Sequence, residues 1–387
     1  MPGRNRSRAT FPQLWRFAEE YLLLLPLGAA IALAWVNVDA ESYFRVAYAL
    51  AFPVNDVAMT FFFALMTKEV VEATAPDGVL HPWRRALLPV IAAAVATIVS
   101  ALLHVGMVDV LEEPALIVSW PVAFATDLAF SYFIARIIFG RHPVVPFVLL
   151  LGIASDALGL VAVSLFDPTE THHYTQGAVL LAAAIAVALI LRRARVKSFW
   201  PYLLVSGGIS WYAFWRSSLH PALALVPIMP FLPHAARDPG FFVDARADAR
   251  DALSQFEVWW RHPAQIALFF FGLVNAGVPL QSLEPGTWAL PIGVLAGRPI
   301  GVLVGAGLAL AIGLHLPTRL GWRDLVVVGF IVAIGFSVGL FFSTALLPPG
   351  QLRAETSMGV LMTLVGAPLA LMSARLLRVG RFGKTEG

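Results

Sequence analysis

Three charged residues interrupt long apolar runs. Asp127 stands in Ala-Phe-Ala-Thr-Asp-Leu-Ala-Phe, Asp156 in Leu-Gly-Ile-Ala-Ser-Asp-Ala-Leu-Gly, and Arg298 in Leu-Ala-Gly-Arg-Pro-Ile-Gly. A charge inside a bilayer is costly, so such residues as a rule face a protein cavity and mark ion pathways or proton relays. Each also has a plainer reading. Asp127 could cap helix ends or pair with a hydroxyl, Asp156 could be a neutral core acid, and Arg298 could be half of a structural ion pair. Lys68 and Glu69 lie near the end of another run, where a long side chain can snorkel to the interface.

The elements that carry these residues follow from composition. Of 387 residues, 59% are apolar and only 13% charged, about half the charged share of a soluble domain. A soluble protein this apolar could not cover its own surface. Its solvent is lipid, where a helix needs roughly 20 apolar residues to span. Apolar runs bounded by charge or proline place spans near 18–36, 48–72, 85–107, 114–139, 143–166, 176–192, 198–215, 219–233, 259–278, 287–314, 323–347 and 356–378. The expected fold is therefore all-α, a polytopic bundle of about 12 transmembrane helices forming a single integral domain over 1–387. There is no cysteine, which excludes disulfides and thiolate metal sites.

Loop charge orients the bundle. Arg84, Arg85, Arg141, Arg192, Arg193, Arg195, Lys197, Arg319 and Arg323 fall in one set of loops, with Arg378, Arg381 and Lys384 in the tail. Asp39, Glu41, Asp109, Glu112, Glu113, Asp167, Glu170 and Glu284 fall in the other. By the positive-inside rule both termini are cytoplasmic and the protein crosses the membrane many times. The same rule accounts for the net charge of +3, so no nucleic acid is needed as a partner. The stretch 234–262 reads either as an interfacial amphipathic segment leading into a helix or as a solvated linker. His172 and His173, beside Asp167 and Glu170, read as a solvated loop before a metal site.

Two spans carry helix breakers at their centres. The fourth holds Thr126-Asp127, and the eleventh holds Ala-Ile-Gly-Phe-Ser-Val-Gly, with Gly335, Ser337 and Gly339. Unwound backbone at membrane depth is tolerated only where it is buried or lines a cavity. One broken span in each half points to inverted repeats with a transport site between them. The half-helix ends would face each other with opposite dipoles, and Asp127 is placed to neutralise the positive ones.

Six segments in order resemble the NhaA-type sodium/proton antiporters. They are Val54-Asn55-Asp56 with Phe61-Phe62-Phe63 and Glu69-Val70; Leu88-Pro89-Val90-Ile91-Ala92-Ala93; Ala125-Thr126-Asp127; Leu219-His220-Pro221-Ala222-Leu223-Ala224; Val274-Asn275-Ala276-Gly277-Val278; and Ala296-Gly297-Arg298-Pro299-Ile300-Gly301. The resemblance implies a core from spans near 85–166 and 287–378 moving against the remaining spans. It implies that Asp156 binds cation and proton in turn, that Thr126 and Asp127 belong to the broken-helix assembly, and that Glu69 and His220 take part in pH response or gating. The chain departs from the pattern at two places. Ser155 stands where the family carries a first aspartate, and Arg298 stands where it carries lysine. Buried lysine can lose its proton, whereas arginine keeps it. In this the chain resembles the electroneutral branch of cation/proton antiporters.

Sodium takes oxygen ligands, which Asp156, Ser155, Thr126 and unwound carbonyls could supply, with Asp127 in the same ion- and proton-binding set and Arg298 as the charge partner of Asp156. One titrating aspartate and a fixed arginine predict one proton exchanged per monovalent cation, with no cofactor. The loop read at 37–47 is too short for the hairpin through which the family dimerises, so a homodimer is left open. Rival readings keep the fold with another cation or a cation-coupled solute, or make it a transport-inactive sensor. Gly335-Phe336-Ser337-Val338-Gly339 fits G-x-S-x-G, but an intramembrane serine protease needs an elbow and a matched histidine, and neither His220 nor His315 has such spacing.

Overall fold

In hydrocarbon every backbone N–H and C=O must be bonded within the protein, which leaves a chain this apolar with helices. A computed structural model describes residues 24–75, 83–140, 142, 144–165, 174–217, 219–233, 251–317 and 319–383, and no strand occurs among them. Helices α1 (Leu24–Val38) and α2 (Ala40–Ala51) meet at Asp39. Its carboxylate accepts from the Ser42 N–H at 3.1 Å, which holds its pKa below the ordinary carboxylate value. The expected loop at 37–47 is therefore almost entirely helix. From α2 the chain passes through a π-helical turn (Phe52–Ala58) into α3 (Met59–Thr74). Pro53 explains the turn, because it cannot donate and its ring crowds the preceding turn, so the helix widens there.

The next elements are α4 (Trp83–Val110), a 3₁₀ half-helix (Pro114–Phe124), α5 (Leu128–Phe139), α6 (Val144–Leu165) and α7 (Tyr174–Arg193). A second π-helical turn (Tyr202–Gly207) leads to α8 (Gly208–Arg216), and α9 spans Ala252–Asn275. Then come α10 (Ala289–Ala311), α11 (Trp322–Val332), α12 (Phe336–Leu346), α13 (Gln351–Met362) and α14 (Gly366–Leu376).

Among the described residues six helical stretches are long and apolar enough to cross a membrane alone, and α11 with α12 forms a seventh span bent by 47°. The other expected spans are shorter or broken pieces. The expected helix at 219–233 is not one: it consists of turns with short 3₁₀ segments at Pro221–Leu223 and Met229–Phe231. Pro221, Pro227, Pro230 and Pro233 remove four backbone donors from that stretch, which no continuous helix survives. Of the 234–262 stretch, the part from Ala252 onward is α9; residues 234–250 lie outside the described residues, as do His172 and His173.

Helices α4 and α10 pack closely along their length. Gly293, Gly297 and Gly305 of α10 lie against His104, Ser100 and Ala92 of α4, and a Cβ added at any of them would come within 2.7 Å of a backbone atom there. Lipid gives helices no hydrophobic reason to associate, so small residues that allow close backbone approach supply the attraction through packing and interhelical contacts. The main apolar cluster runs from α4 through α6 and α10 to α11 and α12, with Val148, Val302, Val328 and Phe341 buried at its centre. A second cluster gathers Phe199, Tyr202 and Phe256 between α7, the second π-helical turn and α9.

Lys68 does not snorkel. It is 3% exposed, and its ammonium pairs at 2.8 Å with both Glu72 and Glu257. Glu257 on α9 is itself buried, and an anion within reach removes the reason for the lysine to seek water. Of Glu69, on the same helix, the backbone alone is among the described residues.

Candidate functional site

The two broken spans follow one pattern. Each is a half-helix, three residues of break, and a second half-helix: 114–124, 125–127 and 128–139 in one, 322–332, 333–335 and 336–346 in the other. Such a break exposes carbonyls at the end of one half and N–H groups at the start of the next, with partial charges to match. The breaks cross so closely that a Cβ at Gly335 would stand 3.1 Å from the Ala125 carbonyl oxygen.

Asp127 serves both positive ends. One carboxylate oxygen accepts from the Phe130 N–H at 2.9 Å, capping α5, and the other accepts from the Ser337 N–H at 2.9 Å, at the start of α12. Its backbone N–H donates to the Ile334 carbonyl. On the negative side, Thr126 Oγ1 donates to the Val332 carbonyl at 3.2 Å and Ser131 Oγ to the Ile331 carbonyl at 3.0 Å. Gly335 N–H is taken up by Thr363 Oγ1 at 3.0 Å, while no polar contact of the Gly339 backbone beyond its own helix stands out.

Asp156, on α6, reaches this crossing. Its Oδ1 accepts from the Thr126 backbone N–H at 2.8 Å, and 6% of the residue remains accessible. Thr126, Asp127, Asp156, Gly335 and Ser337 are thus brought together around the two breaks. A carboxylate, a threonine hydroxyl and unwound carbonyls at one place form the kind of oxygen set that a small hard cation takes.

Arg298 has hydrogen-bond partners besides Asp156, with which it interacts electrostatically. It is fully buried, yet no ion pair within 4.0 Å joins it to Asp156 among the described residues. One nitrogen donates to Ser155 Oγ at 2.9 Å; another reaches the carbonyls of Ala123 at 3.2 Å, Phe124, and Ala125 at 3.0 Å. The guanidinium therefore caps the negative end of the 3₁₀ half-helix. Ser155 is drawn to the same place. Its hydroxyl donates to the Leu151 carbonyl at 2.9 Å and accepts from Arg298. A cation beside a guanidinium is repelled, so this oxygen is poorly suited to the cation role expected of it.

His220 stands apart, capping the turn at Pro221 through Nδ1 and Ala222 N–H at 3.3 Å, with its ring 4.6 Å from that of Phe341. Ser337 lies in the first turn of α12 rather than on a strand-to-helix elbow, and its N–H serves Asp127. One intramembrane charge passed over in the sequence is Asp56. It stands on the π-helical turn in the middle of the span Ala40–Lys68, where a charge is as costly as at Asp127. Beside it, Asn55 and Asn275 exchange amide hydrogen bonds at 3.1 and 2.8 Å. They line a cavity of about 670 Å³ between α2, α9, α12 and α13, together with Glu284 and Arg353.

Residues 18–374 match a family model described as Na+/H+ antiporter 1. The chain is 36% identical over 371 residues to a Na(+)/H(+) antiporter NhaA of Geobacter metallireducens, which covers 94% of this chain and 97% of that one. It is 36% identical over 381 residues to a Na(+)/H(+) antiporter NhaA of Desulfitobacterium hafniense, covering 96% and 97%. Its fold is similar to that of the sodium proton antiporter MjNhaP1 of Methanocaldococcus jannaschii, with a TM-score of 0.61 at 16% identity over 95% of each chain. At that identity the likeness bears on the fold alone.

Proposed function

This chain belongs to the Na+/H+ antiporter 1 family, and from that premise we infer a secondary active Na+/H+ antiporter of the membrane in which one carboxylate, Asp156, binds sodium and proton in turn. The observation that carries the site assignment is the hydrogen bond from the Thr126 backbone N–H to Asp156. It ties the Asp156 carboxylate to the unwound segment, whose carbonyls beyond Ala125 would supply ligands. Thr126 Oγ1 is a second oxygen within the same segment. Asp127, committed to two helix starts, holds the breaks together and gives the site negative potential. Sodium and protons are cargo, and no cofactor enters this reading.

Exchange follows from competition. Sodium on Asp156 requires the carboxylate to be ionised, and a proton there excludes sodium. Alternating exposure of the loaded site then moves the two ions in opposite directions, one running down its gradient and driving the other up its own. The helices of 85–166 and 287–378 are the moving core, and the cavity bounded by α2 and α9 on one side and by α12 and α13 on the other supports a boundary between two bodies there. Arg298 keeps its charge throughout, and Ser155 carries none. One proton therefore replaces one sodium with no net charge moved, in an inner-membrane protein with both termini cytoplasmic. Glu69 and His220 remain the residues for pH response.

The test is exchange in proteoliposomes with the membrane potential free and then clamped. Asp156→Asn is expected to abolish exchange, and wild-type rates are expected to be equal in the two conditions. Exchange retained in the variant overturns the site; a rate that tracks the potential overturns the stoichiometry.

A further inference from the structure

His104 lies on α4, is 1% exposed, and takes no part in the site described above. Its Nε2 stands 3.0 Å from Ser119 Oγ. The serine hydroxyl has one proton, and that proton goes to the Leu116 carbonyl at 2.7 Å. With the hydroxyl proton on that carbonyl, Nε2–H of the histidine donates to Ser119 Oγ. Nδ1 is buried, and besides the Ser119 contact the ring lies against the backbone of Ala289 and Leu116.

Ser119 sits in the half-helix Pro114–Phe124, four residues before Ala123, or about 8 Å at the 3₁₀ rise. Pro121 lies between them. It has no N–H, so the ladder of the half-helix lacks a bond at that turn, and the position of the carbonyl end depends on anchors from outside. Two are visible: Arg298 at Ala123–Ala125 and His104 at Ser119. Both belong to one rigid pair of helices. A Cβ on Gly293 of α10 would stand 2.7 Å from the His104 backbone nitrogen, and Arg298 lies on the same helix five residues further along.

We propose that His104 is a positioning residue for the ion site. Acting through Ser119, it fixes the half-helix whose carbonyls Arg298 holds and whose continuation presents the Thr126 N–H to Asp156. The proposal rests on the reading of Asp156 as the ion carboxylate.

The experiment measures sodium/proton exchange in proteoliposomes for His104→Phe, Ser119→Ala, the double variant and His104→Gln, with Asp156→Asn alongside. Loss of one buried hydrogen bond is expected to raise the apparent KM for sodium about three- to tenfold in each single variant, with the maximum rate changed less than twofold. The double variant should be no worse than either single one, and His104→Gln, which keeps an N–H donor, should return toward wild type. An unchanged KM in Ser119→Ala, additive effects, or a glutamine variant as impaired as phenylalanine overturns the proposal. Should His104→Phe fail to fold, Ser119→Ala and His104→Gln decide the matter alone. Full exchange by Asp156→Asn would overturn the site assignment instead, whatever His104 does.

Discussion

The Ser155 hydroxyl accepts a hydrogen bond from the Arg298 guanidinium at 2.9 Å while donating to the Leu151 carbonyl at 2.9 Å. The two residues at which the resemblance implies a departure from the family pattern are therefore partners of each other. An aspartate at 155 would place a second carboxylate beside Asp156 and compete for its proton. Serine gives the guanidinium an acceptor without adding a titrating group.

Ser155→Ala removes that acceptor and leaves a buried, charged donor with carbonyl partners alone. The expected loss is about 1–3 kcal/mol of stability, read as a lower unfolding temperature in detergent. Exchange should persist, because Asp156 keeps its bond from Thr126. Stability equal to wild type would mean that the serine contact contributes nothing.

Competition at one carboxylate sets the pH dependence. Where the proton form of Asp156 dominates, each unit of falling pH raises the sodium concentration needed for half-saturation by a factor of ten; where the ionised form dominates, pH has no effect. A one-for-one exchanger therefore shows a limiting slope of one decade per pH unit, and two coupled protons would give two. Sodium-induced proton release from the purified protein, followed from pH 5 to pH 9, measures the slope directly, and Asp156→Asn should release none.

Arg298→Lys keeps the charge and loses the planar fork. One ammonium cannot reach Ser155 and the carbonyls of Ala123, Phe124 and Ala125 as two guanidinium nitrogens do. The negative end of the half-helix is then undercapped, and exchange should fall by tenfold or more, with lowered thermal stability. Exchange at the wild-type rate would show that charge alone suffices at this position.

What could be read from the sequence here is governed by range. Hydropathy and the cost of intramembrane charge found Asp127, Asp156 and Arg298, because those signals are local. Crowded small and polar residues marked both breaks for the same reason. The partners were illegible: Ser155 and the carbonyls of Ala123, Phe124 and Ala125, which Arg298 meets, lie 143 to 175 positions away. Lys68 read as an interfacial residue because Glu257, its partner, lies 189 positions away. The turns at 219–233 were legible in principle. Four prolines stand there, and the donors they remove count for more than the apolar content of the stretch. Asp56 was passed over although the rule that found the other charges covers it.

Asp127 offers the sharpest separation of charge from geometry. Its two oxygens cap α5 at Phe130 and α12 at Ser337, both at 2.9 Å. Asparagine has one acceptor oxygen, and its amide nitrogen would meet an N–H head on. Asp127→Asn should therefore lose one cap and the attraction of a full charge for both helix starts, about 1–3 kcal/mol together. Asp127→Ala should lose both caps and cost more. The two breaks are joined by this residue, so exchange should fall in the order aspartate, asparagine, alanine, in step with unfolding temperature. If Asp127 were a direct cation ligand and not a cap, asparagine would abolish sodium-induced proton release while leaving stability near wild type. Thermal unfolding and proton release measured on the same preparations distinguish the two.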